Sequence, residues 1–135
     1  MAPALLVAGL AAAGCGGSAA GEGRPSVNEG GRLTVTVVDD VGATPRSWTL
    51  TCDPPGGDHP DAAGACRAIE AARAPFAPVP AGMLCTQVYG GPQTATITGT
   101  WRGEPVHAAY RRTDGCEIAR WNALSAVLGS GGTGS

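Results

Sequence analysis

Strict alternation of apolar and polar residues marks the first predicted strand of this chain. Leu33, Val35 and Val37 alternate with threonines, which is the period of a strand with one buried face. The same period recurs in residues 48–52, 94–101 and 104–111, and the last two segments are separated by a dipeptide that suits a tight turn. The pattern therefore predicts an antiparallel sheet that includes a C-terminal hairpin.

Two other segments show helical spacing. Pro60 suits the first position of a helix and Asp61 suits its positive end, so a helix is predicted to run from there to about residue 72. Cys66 and Ile69, three residues apart, should face inward from it. Partial helical spacing in residues 116–128 allows a second helix. Strands and helices in this order indicate an α+β fold with the helices packed on one face of the sheet.

The N-terminal region differs from the rest in composition. Residues 4–13 form an apolar run too short for a membrane span, which needs about 20 residues, and typical of an export signal. We predict an export signal over residues 1–15, a flexible linker over 16–31, one domain over 32–128 and a flexible tail over 129–135. Two processing routes are open: ordinary signal cleavage, or a bacterial lipobox in which Cys15 becomes a lipid-carrying N-terminus. The expected location is extracellular, either secreted or anchored as a lipoprotein to the outer face of the cytoplasmic membrane.

Composition narrows the classes of function. The net charge is -2 and only 15% of residues are charged, so no basic stripe suggests a nucleic-acid partner. His59 and His107 could serve a hydrolase, but the chain has no G-x-S-x-G elbow, and we predict that it is not an enzyme. No C-x2-C pair suggests zinc, and no metal or cofactor is predicted.

Four cysteines lie in the predicted domain: Cys52, Cys66, Cys85 and Cys116. Cysteines at this density in a small domain indicate an oxidising compartment. Four cysteines allow three pairings, and their spacing alone does not choose among them.

The most informative segment is residues 83–89, Met-Leu-Cys-Thr-Gln-Val-Tyr. It follows Leu-Thr-Cys at 50–52, His-Pro at 59–60 and a further cysteine at 66, and it precedes Thr-Trp-Arg-Gly at 100–103 and Cys-Glu at 116–117. In this order the segments resemble the subtilisin-inhibitor family of Streptomyces and related actinobacteria, over roughly residues 33–124. The resemblance implies a twisted sheet of about five strands with two helices on one face. In relatives a short helix near the C-terminal end gives way to a final strand, and for this chain the choice between helix and strand there stays open. The resemblance also implies the disulfides Cys52–Cys66 and Cys85–Cys116.

The same resemblance implies a function and a site. The reactive bond would be Gln87–Val88, in a loop whose other protease-contacting residues are Leu84, Cys85, Thr86 and Tyr89. The loop would inhibit subtilisin-like serine proteases as a substrate mimic that is cleaved slowly or reversibly.

Two alternatives accompany this prediction: a non-inhibitory envelope lipoprotein with the same fold, and an inhibitor of a metalloprotease through another loop. A homodimer is a further predicted partner. Relatives have Asp-Pro where this chain has Gly90-Gly91-Pro92, and the extra glycine predicts a looser loop. Arg111 and Arg112 are predicted to be a solvated strand end.

Overall fold

The computed structural model describes residues 31–129. The predicted export signal with Cys15, the linker up to residue 30 and the tail from residue 130 lie outside the described residues. Within the described residues, no helix has both the length and the apolar character needed to cross a membrane.

The described strands form one antiparallel sheet. They are β1 (Arg32–Val38), β2 (Arg46–Thr51), β3 (Thr94–Trp101) and β4 (Glu104–Arg111), in the spatial order β2-β1-β3-β4. In the central strand Val35 lies between Trp48 of β2 and Ile97 of β3. The hairpin predicted from residues 94–111 is the β3–β4 pair.

Side-chain caps set the starts of the two longer helices. In α1 (Ala62–Ala71) the carboxylate of Asp61 accepts a hydrogen bond of 3.0 Å from the main-chain N–H of Gly64. In α2 (Gly115–Ala123) the carboxylate of Asp114 accepts one of 2.9 Å from the N–H of Glu117. Each aspartate satisfies a donor that the first helical turn leaves free, so α1 begins two residues after the predicted Pro60.

The predicted count of about five strands is wrong for the described residues, which contain four. Where the sequence left helix or strand open, the chain forms a short helix, α3 (Ser125–Leu128), which directly follows α2. The reason is the spacing of apolar side chains: Trp121, Leu124 and Leu128 are all buried, three and four residues apart. That spacing puts them on one face of a helix and would split them between the two faces of a strand.

The core lies between one face of the sheet and the helices. The side chains that alternate inward from the strands meet the inward faces of α1, α2 and α3, and the largest fully buried ones are Trp121, Leu33, Leu50, Ile69, Ile97, Leu124, Leu128, Val35, Val37 and Val127. The predicted disulfide Cys52–Cys66 is present and ties the residue after β2 to α1. It fixes the first helix against the edge of the sheet.

The opposite face of the sheet is open to solvent and rich in hydroxyl groups. Thr34 lies between Thr49 and Thr98, and Thr36 lies between Ser47 and Thr96. These side chains are exposed or half-buried. This threonine face is uncharged at its centre.

Other parts of the chain occupy some of the main-chain groups at both edges of the described sheet. At the β2 edge, Thr51 and Gly56 exchange two main-chain hydrogen bonds of 3.0 and 2.9 Å. At the β4 edge, the guanidinium of Arg120 donates a hydrogen bond of 3.0 Å to the main-chain carbonyl of Ala109. Main-chain groups that could pair with another strand are therefore partly occupied.

Candidate functional site

Residues 83–91 form an exposed loop between α1 and β3, which we call the 83–91 loop. Prolines at 75, 78 and 80 prevent helix continuation after α1 and carry the chain out to it. Leu84 is 95% exposed, Tyr89 65% and Val88 53%. Gln87 is exposed as well. Several exposed apolar side chains on one short loop are typical of a surface that binds another protein.

The loop is braced upstream of the Gln87–Val88 bond by a disulfide. Cys85 is bonded to Cys116 in the first turn of α2, with 5.3 Å between their Cα atoms, as the family resemblance implied. Beside it, the N–H of Gly115 donates a hydrogen bond of 2.9 Å to the carbonyl of Thr86. A side chain at Gly115 would collide with the Thr86 hydroxyl, so glycine permits this close approach.

A second brace holds the loop downstream of the same bond. The N–H of Gly90 donates a hydrogen bond of 2.7 Å to the carbonyl of Arg112. In return, Nε of the Arg112 guanidinium donates one of 3.3 Å to the carbonyl of Gly90. A Cβ at Gly90 would lie 2.9 Å from Cδ1 of Ile118, so only glycine fits there without a shift. The prediction that the glycines loosen the loop is wrong at Gly90, which packs closely on α2.

Arg112 is itself held in place. Its Nη1 donates a hydrogen bond of 3.2 Å to Oδ1 of Asn122, and its guanidinium lies 5.7 Å from the ring centre of the buried Trp121. The prediction of a solvated strand end is therefore wrong for Arg112, whereas Arg111 is exposed. No signal in the sequence identified Arg112, because its partners come from the loop and from α2.

Gln87 and Val88, the residues of the predicted reactive bond, lie between the two braces. Within residues 31–129, the main-chain N–H and C=O groups of Gln87 and Val88 make no hydrogen bond to the rest of the protein. The loop has no charged side chain between residues 83 and 91. The bond is thus flanked by two braces, while its own polar groups make no hydrogen bond to the described residues and both of its residues are exposed.

The two histidines do not form a catalytic site together. His59 is buried, where its Nδ1 accepts a hydrogen bond of 3.0 Å from the N–H of Asp61 and its Nε2 donates one of 2.9 Å to the carbonyl of Val127. His107 is exposed on the threonine face of the sheet. His59 therefore links the start of α1 to the end of α3, which is a structural role.

Comparison with known proteins identifies the family. The family model described as subtilisin inhibitor-like matches residues 30–113, more than half of the chain. Subtilisin inhibitor-like protein 1 of Streptomyces cacaoi is 35% identical over 83 residues, which cover 58% of this chain and 74% of that protein. The transglutaminase-activating metalloprotease inhibitor of Streptomyces mobaraensis is 38% identical over 77 residues, 54% of this chain and 51% of that protein.

Among solved structures, Streptomyces caespitosus sermetstatin in complex with Bacillus licheniformis subtilisin matches with a TM-score of 0.45 and 24% identity, over 75% of this chain and 94% of that one. The family assignment depends instead on the family model and on the Streptomyces cacaoi relative. On those two matches, this chain belongs to the subtilisin inhibitor-like family.

Proposed function

We propose that this protein is an exported inhibitor of subtilisin-like serine proteases and that it acts as a substrate mimic through the Gln87–Val88 bond. The observation that carries the proposal is the geometry of the 83–91 loop, in which an exposed bond lies between a disulfide brace and a hydrogen-bonded brace. Membership in the family adds support. The protein binds a protease and has no catalytic activity of its own.

In the proposed complex the loop lies against the protease as an added strand, held by main-chain hydrogen bonds. The carbonyl of Gln87 occupies the oxyanion hole of the enzyme. The serine oxygen of the protease attacks that carbonyl carbon, the bond from Gln87 to the nitrogen of Val88 breaks, and the serine proton passes through the catalytic histidine to the new amine. A preordered loop loses little entropy on binding, so binding is tight.

Side chains at the site indicate the target class. Gln87 is neutral and cannot pair with the buried aspartate of a trypsin-type pocket. Leu84, almost fully exposed, offers an apolar group for the hydrophobic fourth pocket of subtilisins. Val88 and Tyr89 contact the enzyme beyond the bond. We therefore expect inhibition of subtilisins and weak inhibition of trypsin.

Export follows from residues 1–15 acting as a signal, and the two disulfides suit an oxidising location. In the lipoprotein form, Cys15 carries the lipid and the linker up to residue 31 separates the domain from the membrane. That anchor is the only membrane contact we propose, and no nucleic acid is involved.

A second copy of the chain is the partner we propose for the threonine face. Thr34, Thr36, Thr96 and Thr98 present small, uncharged side chains, so two such faces can approach closely without burying charge. Sedimentation analysis should find a dimer. Thr96→Arg should give monomers, because it places two like charges at the shared face.

The test of the proposed function is a titration of subtilisin with the full oxidised chain, followed by mass spectrometry of the mixture. We expect stoichiometric inhibition and a bond from Gln87 to Val88 that is intact or partly cleaved. Gln87→Lys should raise affinity for trypsin. Val41→Lys, which adds the same charge at a side chain 88% exposed on the β1–β2 turn, should not.

The same titration separates the alternatives. Rapid, complete cleavage without lasting inhibition would favour the non-inhibitory envelope domain. The name of the Streptomyces mobaraensis relative makes a metalloprotease the second target to try. Inhibition of a metalloprotease that survives replacement of Gln87 would indicate a different loop.

A further inference from the structure

We infer that Arg112 is a positioning residue that keeps the cleaved loop together, and hence that it sets how long inhibition lasts. This inference rests on the proposed function and concerns what happens after the protease has attacked Gln87–Val88. The disulfide Cys85–Cys116 holds only the upstream arm of the cleaved loop. Retention of the downstream arm requires a separate contact.

The contact with Gly90 is that retention device. The carbonyl of Arg112 accepts from the Gly90 N–H at 2.7 Å, and its Nε donates to the Gly90 carbonyl at 3.3 Å. The guanidinium is fixed against α2 by Asn122 and Trp121. A charged donor held by two further partners loses little freedom when it binds the loop, so the bond is stronger than a flexible surface contact.

Chain length shows why this contact matters. Gly90 lies two residues after Val88, so a new amine at Val88 can move no more than about 7 Å from its tethered point. If the tether at Gly90 opens, the next fixed point is the start of β3 at Thr94, six residues away. The reach then rises to about 20 Å, and the amine can leave the active site of the protease.

The position of the amine decides between two reactions of the acyl-enzyme, in which the carbonyl carbon of Gln87 is esterified to the serine oxygen. If the amine of Val88 attacks, the ester bond breaks, the peptide bond is restored and a proton returns through the histidine to the serine. If water attacks instead, Gln87 leaves as a free carboxylic acid, the serine is regenerated and the loop stays cleaved. Holding the amine near the ester favours the first reaction through effective concentration.

The test uses two variants of equal length and charge, Arg112→Met and Arg112→Gln. The glutamine amide nitrogen occupies the place of the arginine Nε and can donate to Gly90, whereas the methionine methyl group at that place cannot. The full oxidised chain is incubated with a catalytic amount of subtilisin. The readouts are the rate at which cleaved chain accumulates, measured by mass spectrometry, and the recovery of protease activity from the complex.

We expect Arg112→Met to be cleaved at least about tenfold faster than wild type, because the side-chain hydrogen bond from a charged donor is lost and only the main-chain bond from Gly90 to the carbonyl of residue 112 still holds the downstream arm. Arg112→Gln should stay within about threefold of wild type, because it retains a neutral bond. Arg111→Met, which removes the same charge from the neighbouring exposed residue, should match wild type. Unfolding midpoints should differ little among the variants that fold.

Equal cleavage rates for wild type and both Arg112 variants would overturn the inference, and so would equal acceleration in both, since charge or packing would then be responsible. If Arg112→Met does not fold, Arg112→Ala replaces it: cleavage at least about tenfold faster than in wild type and in Arg111→Met is expected, and a rate equal to theirs would overturn the inference. A wild type that never inhibits subtilisin would remove the proposed function as well. The titration of wild type therefore distinguishes failure of the proposed function from failure of the role inferred for Arg112.

Discussion

Removal of the Cys85–Cys116 disulfide should show whether inhibition depends on bracing of the 83–91 loop or on the stability of the whole domain. The change is the paired substitution Cys85→Ala and Cys116→Ala. The two cysteines are 31 residues apart, so the chain-entropy model gives a loss of about 3.7 kcal/mol in the free energy of unfolding. Small domains have about 5–15 kcal/mol in total, and the variant should therefore remain folded at 25 °C.

The matched control is removal of the other disulfide, Cys52–Cys66. Its cysteines are 14 residues apart, and the same model gives about 3.0 kcal/mol. The two variants should thus lose similar stability in urea unfolding. Only the first loses the brace two residues before Gln87, and each 1.4 kcal/mol of constraint lost at the loop raises hydrolysis relative to religation about tenfold.

The assay is a time course of subtilisin inhibition, run without urea at a temperature where both variants are folded. We expect the variant without Cys85–Cys116 to be consumed as a substrate, and the variant without Cys52–Cys66 to inhibit stoichiometrically. If both inhibit as long as wild type, the disulfide does not brace the loop. If both are consumed at the same rate, global stability governs inhibition, and the argument from the loop fails.

Three further predictions concern stability. The main-chain N–H of Thr49 donates to the Asp58 carboxylate and lowers the pKa of that carboxyl below 3.8. The ionised carboxylate therefore stabilises the fold at neutral pH, and this stabilisation is lost as the pH falls through the lowered pKa. Asp58→Asn should reduce the pH dependence of urea unfolding between pH 2 and 5, and an unchanged pH profile would contradict this. Burial raises the pKa of Tyr110 to about 12, and its hydroxyl donates a hydrogen bond of 2.7 Å to the carbonyl of Pro75. Tyr110→Phe should lower the free energy of unfolding by about 1 kcal/mol at pH 7. This difference should vanish above pH 10, because the tyrosine of the unfolded chain ionises before that of the folded chain. A difference that stays constant across that range would refute the prediction. Gly57→Ala should lower the free energy of unfolding by more than 1 kcal/mol in the same assay, because Gly57 has a φ of +95° and a Cβ there would collide with the carbonyl of Thr49. The control is Gly42→Ala, at φ +81° with open space around it, which should cost less.

Much of the fold could be predicted from local pattern. The alternation at Leu33, Val35 and Val37 and the apolar spacing of Cys66 and Ile69 each correspond to buried faces in the structure. These features depend on the spacing of apolar residues over a few neighbouring positions, which a single sequence shows directly. The disulfide pairing was different in kind, since spacing left three choices and only the family resemblance selected the observed one.

The features that could not be predicted depend on tertiary contacts. Arg112 follows a strand and looks like a solvated end, and its role appears only where the loop and α2 converge on it. Gly90 looked like a source of flexibility, yet its missing side chain is what admits Ile118 and the guanidinium. The helical course of the chain after α2 could not be decided from the sequence, because the helical spacing of Ile118, Trp121 and Leu128 was only partial and relatives have a final strand there.

The occupied main-chain groups at the sheet edges have a consequence for the behaviour of the protein at high concentration. Free edges recruit further strands and allow open-ended stacking into fibres. Here Thr51 is paired with Gly56 at one edge, and Ala109 is occupied by Arg120 at the other. These contacts interrupt the row of groups that an added strand needs, whereas association through a face gives a closed assembly, so we expect small oligomers rather than growing aggregates in concentrated solution.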